Sequence, residues 1–130
     1  MNIKDYNLIR DDRYDGYVGI AFAIKGHLQN TQLTFSYLTL PDRFLLLGIQ
    51  VGDLTVVNMY IPPDLALGEK HLYEIMPHLQ EPCMMIGHMN AQNPMWSGMI
   101  NHNGVVVQRF LQDGTFFMKD GTPTRMSPPE

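Results

Sequence analysis

Two histidines and one cysteine are the side chains in this sequence best suited to hold a metal ion or to attack a substrate. His88 and His102 lie fourteen residues apart, with no carboxylate or second thiolate at a matching spacing. Because a zinc site takes three or four such ligands, the pattern favours His88 as a position that binds no metal. Cys83 lies between Pro82 and a run of apolar residues, which indicates a buried, inert thiol rather than a nucleophile.

The composition is typical of one soluble globular domain. The chain has 130 residues, of which 45% are hydrophobic and 17% charged. Nine Lys and Arg against thirteen Asp and Glu give a formal charge of -4, whereas a nucleic-acid-binding domain usually carries a basic excess. A single cysteine excludes an intramolecular disulfide framework. The sequence shows no apolar stretch typical of a secretory signal or a membrane span, so we expect an intracellular location without distinguishing nucleus from cytoplasm.

Hydrophobic periodicity and turn residues predict the elements that position these side chains. Apolar runs predict strands over Tyr6–Ile9, Gly19–Ile24, Gln32–Leu40, Phe44–Val51, Leu54–Ile61, Cys83–Ile86 and Thr115–Met118. A polar turn is expected over Asp11–Gly16, and a hairpin around Gly52-Asp53. Helical spacing predicts helices over Glu69–Met76, closed by Pro77, and around Gly104–Gln112. This order is that of a layered α/β protein with helices on a sheet, forming one domain over residues 1–125 with a frayed tail over 126–130.

Three motifs, in this order, resemble one family. They are Asn58–Pro63 (NMYIPP), Ile86–Trp96 (IGHMNAQNPMW) and Asp120–Arg125 (DGTPTR). The sequence is similar here to the endonuclease/exonuclease/phosphatase superfamily, and more narrowly to the endonuclease domain of jockey-like non-LTR retrotransposons. That family's pattern runs YIPP, then GDFNAxxPxWG, then a DGSPTR-like segment. Its RxDR, GGVA and NxxG elements are matched by Arg10–Arg13, by Gly19–Ala21 and by Asn101 with Gly104.

The resemblance implies a two-sheet α/β sandwich, flanked by helices, that carries a site for metal-dependent phosphodiester cleavage. Active members use magnesium held by carboxylates to promote attack by water, with an asparagine and a tyrosine on the phosphate. Carried over to this sequence, His88 and Asn90 occupy catalytic positions. Tyr60, Asn90, Thr124 and Arg13 occupy positions that contact phosphate or nucleic acid.

The match fails at the centre of that site. The aspartate of GDFN corresponds to His88, and a neutral imidazole offers magnesium no hard oxygen ligand. The family's N-terminal segment with its metal-binding glutamate, and its C-terminal serine-aspartate-histidine segment, have no counterpart in this sequence. The resemblance therefore implies a truncated, catalytically defective domain that takes no cofactor, although magnesium serves its active relatives.

Each candidate residue also has a purely structural interpretation. Asn90 is equally well explained as a residue that fixes a loop at a strand end, and Tyr60 is better explained as a strand-terminal residue. Thr124 fits an ordinary turn, and Arg13 has acidic neighbours that would pair with it. Among the other candidates, we expect an anchoring role for Trp96 and exposed positions for His27, His71 and His78.

A second hypothesis treats the chain as a binding or oligomerisation module. Open sheet edges would expose backbone groups and apolar surface, which favour pairing with another copy or with a partner that completes the sheets. Ten methionines agree with such a surface. Under either hypothesis we expect weak binding of nucleic acid or none, and no membrane association.

Overall fold

Two β-sheets and two helices form the part of the chain that the structure describes. The computed structural model describes residues 3–12, 19–35, 38 and 40–113. The strands are β1 (Tyr6–Asp12), β2 (Gly19–Lys25), β3 (Asn30–Leu33), β4 (Leu45–Val51), β5 (Leu54–Tyr60) and β6 (Cys83–His88), and the helices are α1 (Glu69–Ile75) and α2 (His102–Gln112). β1 and β2 form one sheet, and the other strands form a second in the order β3-β4-β5-β6. The predicted α/β class is confirmed. Within these residues no helix combines the length and the apolar character that crossing a membrane requires.

The hairpin predicted around Gly52-Asp53 lies at the centre of the larger sheet. β4 and β5 are antiparallel and pair with Val51 opposite Leu54, so the two residues between them make the turn. Gly52 has a φ of +58°, a left-handed conformation that glycine adopts without steric cost. Both strands agree with the prediction to within one residue at their outer ends.

The larger sheet is apolar on both faces, and different elements pack against each face. On one face, Val57 and Met59 of β5 are fully buried against the two helices. The helix residues in this core are Leu72, Ile75, Val106, Val107 and Phe110. On the other face, Leu45 and Leu47 of β4 pack with Ile20 of β2. The larger sheet therefore lies between the helices and the β1–β2 sheet.

A parallel crossover leads from β5 through α1 to β6. Pro62 and Pro63 follow β5, where a residue without an N–H cannot continue the ladder. β6 then runs parallel to β5, with Val57 opposite Met85. The α-helix closes before Pro77, within one residue of the prediction, with Met76 as its C-cap. The α-helix ends at Ile75, and Pro77 lies inside a following 3₁₀ turn, near the start of a helical turn, where its missing N–H is not needed.

The third strand is earlier and shorter than predicted. It covers Asn30–Leu33 rather than Gln32–Leu40, and Thr34 and Phe35 lie outside it. The Phe35 ring packs closely over Gly48 of β4 and against the helix-side core. Phe35 therefore contributes packing without strand pairing, whereas residues 36, 37 and 39 of the predicted strand lie outside the described residues.

The first strand extends three residues further than predicted, to Asp12. Asp11 and Asp12 are the last residues of β1, opposite Ile20 and Gly19 of β2, because backbone pairing continues through them. Residues 13–16 of the turn predicted over Asp11–Gly16 lie outside the described residues, as do the predicted strand over 115–118 and the tail over 126–130.

His71 was predicted to be exposed and is instead 8% exposed. Its Nδ1 accepts a hydrogen bond from the Gly68 N–H at 3.0 Å, and its ring meets Phe44 edge-on at a centroid distance of 6.1 Å. Burial lowers the pKa of His71, and Lys70 lowers it further against the opposing effect of Glu74. The partner of His71 is a backbone N–H, so no spacing of side chains in the sequence indicates it.

Acidification is expected to destabilise the fold through His71. Below the ordinary histidine pKa of about 6.5 the unfolded chain takes up a proton that the folded imidazole does not, so the free energy of unfolding falls until the lowered folded pKa is reached. His71→Asn places an acceptor near the Nδ1 position and does not titrate. Urea unfolding at a series of pH values from about 7.5 to 5 measures the free energy of unfolding of both proteins, which should fall more in the wild-type protein than in His71→Asn. If the free energies of unfolding of the two proteins fell in parallel as the pH is lowered, His71 would not be the source of the acid destabilisation.

Candidate functional site

Three of the predicted site residues meet at the carboxyl ends of β5 and β6. Because these strands are parallel, their ends lie at the same edge of the sheet. Tyr60, the last residue of β5, lies directly opposite His88, the last residue of β6. Their ring centroids are 6.1 Å apart, and the rings are inclined by 31°. Asn90 lies two residues further along the chain.

Tyr60 and His88 differ in how firmly they are held. Tyr60 is half-buried and packs against Ile20, Leu45 and Leu47, between the two sheets. The His88 side chain is exposed. The strand predicted over Cys83–Ile86 continues to His88, whose carbonyl accepts a bond from the Ile61 N–H at 2.9 Å. A fixed phenol ring therefore lies beside a solvent-facing imidazole.

Asn90 is held by backbone groups. Its φ of +47° is left-handed, a conformation in which asparagine is enriched among non-glycine residues. Its Nδ2 donates to the Ile61 carbonyl at 2.6 Å, and its own carbonyl accepts a bond from Asn101 Nδ2 at 2.9 Å. These are the contacts of a residue that fixes a loop at a strand end. Among the described residues, one amide proton and the Oδ1 oxygen of Asn90 make no further hydrogen bond.

Asn101 joins the loop to α2. It is the N-cap of the helix, and its Oδ1 accepts bonds from the Gly104 N–H at 2.8 Å and from the Gln92 N–H at 2.9 Å. Its backbone N–H donates to the Gln92 carbonyl at 3.0 Å. A single side chain therefore connects the start of the helix, the middle of the loop and Asn90.

Asn93 is a second anchor that the motif analysis did not assign to the site. It is 1% exposed. Its Nδ2 donates to Gln108 Oε1 at 2.8 Å and to the Gly104 carbonyl at 3.3 Å, and its Oδ1 accepts the Met95 N–H at 3.1 Å. Asn93 therefore connects the loop to the first two turns of α2.

Asn103 is the third anchor and the one with the widest reach along the chain. It is 5% exposed, and its Oδ1 accepts a bond from the Leu67 N–H at 2.8 Å. Its Nδ2 donates to the carbonyls of Met89 at 3.1 Å and Leu65 at 3.3 Å. It therefore ties α2 to both loops that leave the carboxyl edge of the sheet. We call Asn90, Asn93, Asn101 and Asn103 the asparagine cluster. The sequence signal that could have found Asn93 and Asn103 is the density of asparagines on both sides of this loop.

Trp96 anchors the same loop, as predicted for it. Its indole Nε1 donates to the Ala91 carbonyl at 2.9 Å, and its ring packs against the helix-side core. Its backbone N–H donates to the Asn93 carbonyl at 2.9 Å. The loop is thus held by hydrogen bonds within itself as well as by hydrogen bonds to neighbouring elements.

Two glycines let backbone segments meet at this edge. Gly87 has a φ of +130°, and a Cβ on it would lie 1.9 Å from the Met59 carbonyl oxygen of β5. A Cβ on Gly104 would lie 1.7 Å from the Gln92 carbonyl oxygen. Neither position accepts a side chain unless the backbone moves. Gly98, in the same loop, faces open space.

The groups at this edge do not fit magnesium. Tyr60 offers a phenol, His88 an exposed imidazole and Asn90 an amide whose nitrogen is already donating, whereas magnesium prefers carboxylate oxygens and water. Across the described ranges, no three His, Cys, Asp or Glu side chains are grouped so that they could hold a metal ion. His102, weighed as a second ligand with His88, has its Nε2 2.9 Å from the Leu67 carbonyl, to which a protonated nitrogen donates. The edge presents hydrogen-bonding groups of the kind that contact phosphate.

Cys83 lies on β6 and is half-buried, less than predicted. Burial raises the pKa of its thiol, and the charge of Glu81 raises it further. The protonated thiol is a poor nucleophile, which agrees with an inert role.

Two predicted contacts to phosphate, Arg13 and Thr124, lie outside the described residues. Arg10, at the same end of β1, pairs with Asp12 at 3.1 Å, and both side chains are about half exposed. An exposed pair of this kind contributes little to stability, and the acidic partner weakens the local field that would attract phosphate.

Replacing Gly87 by alanine is expected to disrupt the carboxyl edge. Gly87→Ala drives a Cβ into the Met59 backbone at a left-handed φ and should lower the free energy of unfolding by about 3 kcal/mol or more. Gly98→Ala is the matched control, since it adds the same methyl group in open space and should change stability by no more than about 0.5 kcal/mol. Urea unfolding followed by circular dichroism measures both. Equal stabilities of the two variants would contradict the close approach of β6 and β5.

The comparisons with known proteins add no relative to this description. No protein-family model matches the sequence, and no curated protein matches it either. The assignment of the carboxyl edge therefore rests on the motifs and on the geometry given above.

Proposed function

We propose that this chain is a retrotransposon-derived, endonuclease-like domain of the endonuclease/exonuclease/phosphatase type that does not cleave phosphodiesters. One observation carries the proposal. Tyr60 and His88 lie opposite each other at the carboxyl ends of parallel strands, with Asn90 directly beyond. This is where the resemblance places phosphate-contacting groups around a catalytic aspartate, and the position of that aspartate is taken by His88.

The arrangement of layers supports this type of fold. A four-stranded sheet lies between two helices and a second, two-stranded sheet, which is compatible with part of a two-sheet α/β sandwich. Ligand sites in open α/β sheets lie beyond the carboxyl ends of the strands. The edge formed by Tyr60, His88 and Asn90 has that location.

The chemistry of His88 explains why cleavage is not expected. In the family's route, a carboxylate with hard oxygen atoms orients water and adds negative charge near magnesium. A neutral imidazole has one donor and one acceptor nitrogen and adds no charge. Replacing the carboxylate by His88 therefore removes the group on which water activation depends.

Contacts to nucleic acid are expected to be weak. The net charge of -4 supplies little general attraction to a phosphate backbone. Asn90 directs one amide proton to the Ile61 carbonyl, and the Tyr60 ring is occupied in packing between the sheets. Tyr60 and Asn90 therefore offer few hydrogen-bond donors to a phosphate group.

Incubation with supercoiled plasmid DNA tests the proposal. With magnesium or manganese present, the protein is expected to nick no more DNA than its His88→Ala variant, because the wild-type side chain supplies no hard ligand. His88→Ala is a suitable control, since an exposed side chain can be shortened without loss of core packing. Metal-dependent nicking by the wild-type protein that disappears in His88→Ala would overturn the proposal, and so would nicking by both proteins that a mock purification without the protein does not show.

A further inference from the structure

One member of the asparagine cluster is followed directly by a glycine. Asn103-Gly104 is the one Asn-Gly pair in the sequence, and it lies in the first turn of α2. Asparagine is among the residues least resistant to spontaneous chemical change. Loss of its side-chain amide is fastest when glycine follows, because glycine has no side chain to obstruct its own backbone nitrogen. The residue that ties α2 to two loops therefore belongs to a chemically labile pair.

Deamidation of an Asn-Gly pair joins two groups that are neighbours along the chain. The Gly104 nitrogen gives its proton to a base in the solvent and bonds to Cγ, the side-chain carbonyl carbon of Asn103. Nδ2 takes up a proton and leaves as ammonia, which closes a five-membered succinimide ring. Water then opens the ring at either carbonyl and leaves aspartate or isoaspartate. The reaction needs a free Gly104 nitrogen, a side chain able to turn toward it, and access for solvent.

In the folded chain, hydrogen bonds and burial oppose each of these requirements. The Gly104 N–H donates to Asn101 Oδ1 at 2.8 Å. Asn103 is 5% exposed, and its Oδ1 accepts the bond from the Leu67 N–H at 2.8 Å. Its Nδ2 donates to two backbone carbonyls, at 3.1 and 3.3 Å. Ring closure therefore requires the loss of all these bonds and the opening of a buried site.

We propose that Asn103-Gly104 is a deamidation site that the native fold protects and that unfolding opens. The reaction is then confined to molecules in which the start of α2 has opened. For a domain of ordinary stability, the unfolded fraction is about 10⁻³ or less. Chains that have spent time unfolded are therefore marked chemically, and native chains are not. Neither Tyr60 nor His88 takes part, so the site is independent of the proposed function.

The product lacks the donor that Asn103 supplies. A carboxylate accepts hydrogen bonds and donates none, so the carbonyls of Leu65 and Met89 would face a carboxylate oxygen in place of an N–H. Burial of the new negative charge beside these carbonyls costs additional free energy. The isoaspartate product also lengthens the main chain by one carbon atom within the first turn of α2. A marked chain therefore returns to a less stable fold than the one it left.

Peptide mass spectrometry measures deamidation of the full chain after incubation at mildly alkaline pH, with and without guanidinium chloride. Position 103 is expected to deamidate at least about 100-fold more slowly in the folded chain than in the denatured chain. Lys25→Asn is the matched control, since it creates a second Asn-Gly pair with Gly26 where β2 ends, and both residues are exposed. That pair should react in the folded chain within about tenfold of its rate in denaturant. Similar folded and denatured rates at position 103 would overturn the proposal, and so would equal protection of both pairs.

Asn103→Asp imitates one product and tests whether a marked chain is less stable. Asn30→Asp is its control, because it makes the same change of charge at a residue whose side chain donates a long bond of 3.4 Å to the Leu28 carbonyl at the surface. Urea unfolding is expected to show a folding equilibrium constant at least about tenfold lower in Asn103→Asp than in Asn30→Asp. Failure of Asn103→Asp to fold, under conditions in which Asn30→Asp folds, would support the proposal in the same way. Equal equilibrium constants in the two variants would overturn it.

Discussion

Backbone groups in the loop between β6 and α2 have neither a strand nor a helix to pair with, and the asparagine cluster supplies their partners. Burial of an unpaired N–H or carbonyl costs free energy comparable to a lost hydrogen bond. Asn103 alone engages backbone groups of Leu65, Leu67 and Met89. An amide suits this task because it presents a donor and an acceptor on one short side chain. The position of the loop, the start of α2 and the carboxyl edge of the sheet all depend on these contacts.

The motif residues therefore fall into two groups, those that hold the loop in place and those that do not. Gly87, Asn90, Asn101 and Gly104 match the family pattern at positions where the backbone approach or the hydrogen bonds demand that residue type. His88 departs from the pattern at an exposed position beside Tyr60. A substitution there changes the chemistry of the edge while the loop keeps its anchors. Under the proposed function, a fold of this kind could therefore be retained although the catalytic carboxylate is replaced.

Elements with strong local patterns were predictable from the sequence, and contacts made across the fold were not. The β4–β5 hairpin has apolar runs on both sides of Gly52-Asp53, so its position follows from periodicity and turn chemistry. The end of β3 and the burial of His71 depend on tertiary partners, the Gly48 surface and the Phe44 ring, which no local pattern reveals. At the site, motif order placed Tyr60, His88 and Asn90 together. Asn93 and Asn103 were missed because their partners are backbone groups, apart from the Gln108 Oε1 atom that Asn93 contacts.

The central claim is that asparagine amides, rather than a bound ion, hold the carboxyl edge. Urea unfolding of Asn103→Ala tests it most directly, with Asn30→Ala as the matched control, since Asn30 makes a single long bond of 3.4 Å to the Leu28 carbonyl at the surface. Asn103→Ala should lower the free energy of unfolding by about 2 to 4 kcal/mol, because the buried Leu67 N–H and two carbonyls lose their partner. Asn30→Ala should change it by no more than about 0.5 kcal/mol. Similar small losses in both variants would contradict the claim.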